Sequence, residues 1–138
     1  MITFKKHYNG RFINMLRWHQ LDELWLKVKQ IQPDSWYIYL LKAPVPNTPV
    51  DATTLNQFIQ EVDIFLRQKH SYDYCGIVYV DDPNNPSMIK IFDPNNLGAV
   101  CGSSGSKVLP RWLLTRILPE AIVDDALKQP RRWWQPFN

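Results

Sequence analysis

At 138 residues, 45% hydrophobic and 21% charged, the chain has the composition of a globular domain with its own core, not of a disordered or fibrous segment. A net charge of +3 at pH 7 demands no polyanionic partner, and two cysteines without a Cys-x-x-Cys pair speak against a disulfide framework or a paired-ligand zinc site. No apolar run approaches the ~20 residues of a membrane span, and none follows the early lysines as in a secretory leader, so the expected setting is the cytoplasm with both thiols reduced.

Residues 1–10 read as irregular or a short edge strand, with Tyr8, Asn9 and Gly10 as a turn. Asn14 is the expected cap of a helix reaching Ile31, because Ile13, Leu21, Leu24, Trp25, Val28 and Ile31 recur at helical spacing. Pro33 then ends it. Residues 36–41 are aromatic and aliphatic and read as a strand. Prolines 44, 46 and 49 hold the next segment as an extended surface loop. Thr54 and Gln57 form a capping-box pattern ahead of Leu55, Phe58, Ile59, Val62, Phe65 and Leu66, the clearest amphipathic helix in the chain. Arg67, Lys69 and His70 suit the dipole at its far end.

Residues 74–80 and 87–92 are the strongest strand signals, and the short turn-rich segment between them predicts an antiparallel hairpin. The tetrapeptide Asp-Pro-Asn-Asn occurs twice, at 82–85 and 93–96. Its acids and amides are turn formers here, because the spacing fits no calcium loop. Residues 97–101 offer a short edge strand. The loop of Gly102, Ser103, Ser104, Gly105, Ser106 and Lys107 is a connector with weak anion-binding character, and it lacks the phosphate-binding loop spacing. Pro110 is placed to start a helix over 111–118 that Pro119 ends. A further short helix runs toward Pro130, and 130–138 is a Pro/Arg/Trp-rich tail.

The order predicts one α+β domain over 1–138, with three to five strands in a mixed or mostly antiparallel sheet. Two long helices pack on it, with short C-terminal helices beside them. A strand, a helix and a strand in succession favour a parallel crossover between 36–41 and 74–80.

Function is less legible. Residues 1–32 carry six Lys/Arg against two Asp/Glu, 33–106 four against eight, and 107–138 six against three, so basic ends flank an acidic middle. The leading expectation is a small interaction or accessory protein. It binds a partner protein, or a second copy, through Arg131, Arg132, Trp133 and Trp134, with Arg111 and Trp112 beside them, since Trp and Arg dominate binding hot spots. A membrane-surface role is its rival. One alternative is a single-stranded nucleic-acid module, on pI and aromatic content. The other is a small cysteine enzyme using Cys101 beside the Gly/Ser loop with His70 as base. Neither a cofactor nor a metal site is expected.

Overall fold

The computed structural model describes residues 3–70, 73–95 and 109–122. In chain order the elements are α1 (Phe4–Tyr8), β1 (Ile13–Asn14), α2 (Trp18–Gln30), β2 (Tyr37–Leu40), α3 (Ala52–Lys69), β3 (Val78–Val80), β4 (Met88–Ile91) and β5 (Trp112–Thr115). The five strands form one sheet in the order β1-β3-β4-β5-β2, and every neighbouring pair is antiparallel. The architecture is α+β.

Helix starts differ from the capping patterns. Asp51 caps α3 by accepting from Thr54 N–H at 2.8 Å, so the cap lies three residues before the expected Thr54 and the helix begins at Ala52. Its stripe is as read: Leu55, Phe58, Ile59, Val62 and Leu66 are buried. Asn14 does not cap α2; it lies in β1, paired with Tyr79, and Arg17 takes the cap position. There Gln20 folds back to accept from the Arg17 backbone N–H at 2.9 Å. Residues 4–8 form a short helix rather than irregular chain, begun by the Thr3 hydroxyl accepting from Lys6 N–H.

The hairpin is present, with Val78 opposite Ile91 and Val80 opposite Ile89. Regular pairing starts only at Val78, because Gly76 takes a φ of 71°. A Cβ there would lie 3.2 Å from the Tyr74 ring, so this kink needs glycine.

Two expectations fail together. Residues 112–115 are a strand, not part of a helix, and the crossover from 36–41 to 74–80 does not place those strands side by side. β5 inserts between β4 and β2, so β2 reaches β3 only across two intervening strands. All four β5 residues are buried, as a strand covered on both faces requires. A continuous apolar run of that length suits a buried helix equally well, which is why its pattern misleads.

α2 and α3 cover one face of the sheet, where Ile38, Val78, Val80, Ile89, Ile91, Trp112 and Leu114 complete the main core. On the other face Tyr39, Leu41, Met88 and Leu113 pack with Phe4 of α1, and Tyr8, Phe12, Val45, Ile117 and Ile122 close over them. Residues 119–122 are not helical. The expected strand at 97–101, the Gly/Ser loop and most of the last helix lie outside the described residues.

Candidate functional site

Polar chemistry concentrates where the β3–β4 turn meets its neighbours. Asp81 directly follows β3, with a side chain only 10% exposed. Its Oδ1 accepts from the backbone N–H groups of Asp82 (2.9 Å), Ser87 (3.0 Å) and Met88 (3.1 Å). Its Oδ2 accepts from the Ser87 hydroxyl at 2.5 Å and lies 2.8 Å from His7 Nε2 on α1. Burial alone would raise the pKa of this carboxyl, but the Ser87, His7 and Met88 hydrogen bonds outweigh it and hold it below the usual value. Aspartate, histidine and serine meet here without forming a nucleophilic relay. Serine and histidine both contact the carboxylate, whereas a relay runs from the hydroxyl through the imidazole. The cluster is a turn organiser that also ties α1 to the sheet.

The two tetrapeptides behave alike locally. Asp82 accepts from Asn84 N–H at 2.9 Å, and Asp93 from Asn95 N–H at 2.8 Å, the same two-residue side-chain turn at either end of β4. Each meets an arginine flanking β5. Arg111 Nη1 lies 2.8 Å from Asp93 Oδ2, its guanidinium stacked over Trp112 and Phe65 at 4.8 and 5.3 Å. Arg116 instead meets neutral groups. Its Nε donates to the Pro86 carbonyl (3.1 Å), Nη1 to Gln32 Oε1 (3.2 Å) and Nη2 to Asn85 Oδ1 (3.4 Å), with Trp36 beneath it.

The residues singled out in sequence scatter. Trp112 is wholly buried, edge-on to Phe58 and Phe65, so its indole is part of the core and not of a surface. Arg111 remains partly exposed at 24%. His70 ends α3 at 4% exposure, edge-on to Trp18 and Tyr74 at 6.2 and 6.0 Å. That is a packed environment, unlike the open one an imidazole base needs. The Cys75 thiol is fully buried, and burial pushes its pKa up against the opposing bonds from Ile77 and Val78 N–H groups, so it is poorly disposed to react. Cys101, the Gly102, Ser103, Ser104, Gly105, Ser106 and Lys107 loop, and Arg131, Arg132, Trp133 and Trp134 lie outside the described residues.

An open groove of about 420 Å³ runs between α2, β1 and the first Asp-Pro-Asn-Asn turn, lined by Ile13, Met15, Leu24 and Leu26 with Pro83 and Asn84. Ile13 and Leu26 are about half exposed. Among the described residues no cluster of three or more metal-ligating side chains occurs, and no helix is long and apolar enough to cross a membrane. Sequence reasoning missed the Asp81 hub and the Arg116 clamp because their partners lie up to 84 residues away. The one local hint was an acid immediately before a turn tetrapeptide. No protein-family model matches the chain, and no curated protein or solved structure gives a match.

Proposed function

We propose that this is a small interaction or accessory protein of the cytoplasm that binds a partner protein, or a second copy of itself, through Arg131, Arg132, Trp133 and Trp134. The observation that carries the reading is that the sheet has a cover on both faces drawn from other residues. α2 and α3 supply one, and α1 with Phe12, Val45, Ile117 and Ile122 supplies the other. Trp36 and Trp112 are fully buried and Trp25 nearly so. Beyond these described residues the sequence carries Trp133 and Trp134 beside Arg131 and Arg132, and Trp beside Arg is the composition of a binding hot spot.

Deleting residues 131–138 tests this. The truncated protein should keep its denaturation midpoint and lose association in sedimentation and pull-down measurements. A truncated protein that does not fold makes the segment part of the core. One that folds and keeps every partner refutes the reading, and loss of that binding on Leu26→Glu would move the contact to the α2–β1 groove. Flotation of the full-length protein, but not the truncated one, with anionic liposomes would assign the segment to a membrane surface instead.

A further inference from the structure

The geometry points to an oxyanion site built from Arg116, Gln32 and Asn85, a function independent of the partner-binding segment. Arginine has only donors, so the two amide oxygens must face it. Gln32 Oε1 and Asn85 Oδ1 do so at 3.2 and 3.4 Å. Their NH₂ groups are then turned away from the guanidinium, and no hydrogen bond of the described residues uses them. Three of the five guanidinium N–H groups are used, by Pro86 carbonyl, Gln32 and Asn85, which leaves two. The result is a patch of N–H donors with little to accept from them.

The charge is also uncompensated. None of the ion pairs among the described residues includes Arg116, whereas Arg111 at the other end of β5 is paired with Asp93. The guanidinium is held in place before any ligand arrives, by three neutral acceptors and the Trp36 ring at 5.7 Å. Fixing it in advance removes the ordering cost that an ordinary surface arginine incurs on binding. The three side chains come from the α2–β2 connection, the β3–β4 turn and the end of β5, so the fold itself brings them together. Gln32 and Asn85 are exposed, which leaves the donors open to solvent. A planar or tetrahedral oxyanion, carboxylate or phosphate, is what such a fork of donors accepts.

The test is a titration of isotopically labelled full-length protein followed at the Arg116 Nε–H and the Gln32 and Asn85 side-chain amides. Sodium phosphate and sodium acetate are compared with sodium chloride at fixed ionic strength. Saturable shifts at all three side chains with phosphate or acetate, and none with chloride, are expected. Tighter binding of phosphate marks a phosphate site, and tighter binding of acetate marks a carboxylate site. Arg116→Gln should weaken the tighter ion by roughly tenfold or more, as loss of charged hydrogen bonds implies. Gln32→Met, which keeps the arginine, should weaken it less. Shifts that follow chloride, or saturation unchanged in both variants, would overturn the proposal. Because Arg116, Gln32 and Asn85 all lie outside residues 131–138, the truncated protein is expected to bind the ion as the full chain does, which separates this result from the partner-binding one.

Discussion

Removing the Asp81 carboxylate should cost this fold more than its size suggests. In Asp81→Ala three backbone N–H groups, of Asp82, Ser87 and Met88, lose the acceptor they share, and the Ser87 hydroxyl and His7 lose theirs. An unsatisfied buried donor costs about 1–3 kcal/mol. Solvent can reach part of the turn, so the sum is discounted to about 3–5 kcal/mol, a large fraction of a small domain's stability. Asp81→Asn keeps one oxygen for the backbone donors and loses the charge, and should cost about 1.5–3 kcal/mol. Urea denaturation at pH 7 with an unchanged slope is the assay. The pH dependence follows from the depressed pKa of this group. Its contribution is fully present above the unfolded value of about 3.9 and is lost as pH falls through the lower folded value, so wild type and Asp81→Asn should converge only in strong acid. An Asp81→Ala protein within about 0.5 kcal/mol of wild type at pH 7 would refute the reasoning, because surface substitutions without a structural role fall in that range.

Two further outcomes are expected. Gly76→Ala should cost about 1–3 kcal/mol, since a φ of 71° disfavours a side chain and its Cβ would press the Tyr74 ring at 3.2 Å; an unchanged melting temperature would mean the kink relaxes freely. Cys75 should resist alkylation in native buffer at neutral pH and react fully in denaturant, because it is buried and its thiol is held protonated; modification at the rate of a free thiol would contradict that burial.

The elements legible in sequence were those whose signal is local. The stripe of α3, the hairpin and both turn tetrapeptides follow from residues within a few positions of one another. The failures share one cause. Trp112, Leu113, Leu114 and Thr115 form a continuous buried run, and only its partners β4 and β2 decide that it is extended. Asn14 has good capping chemistry, yet pairing with Tyr79 holds it in β1. Asp51 competes with Thr54 for the start of α3 and wins by reaching the Thr54 N–H. The site was less legible still, because Trp112 has the composition of a hot spot and the burial of a core residue.

The two arginines flanking β5 show how one local pattern acquires two chemistries. β4 and β5 are antiparallel, so residue 116 stands beside the turn before β4 and residue 111 beside the turn after it. Both turns present a short polar surface, and both arginines reach across to it. At 93–95 the reach ends on the carboxylate of Asp93, and the charge is neutralised. At 82–85 the Asp82 carboxylate bonds within its own turn, to Asn84 N–H, and the carboxylate next to it, Asp81, is taken up by three backbone N–H groups, Ser87 and His7. What is left for Arg116 is a carbonyl and two amide oxygens. Both carboxylates of this turn are thus engaged by the turn itself and by His7, and Arg116 pairs with neither. It follows that disturbing the hub should disturb the anion site. In Asp81→Asn one acceptor in the turn loses its charge and the packing of residues 82–87 loosens, so Asn85 is held less firmly and phosphate or acetate binding at Arg116 should weaken without any change to the guanidinium itself. Equal affinity in Asp81→Asn and wild type would show that the turn positions Asn85 without help from the hub.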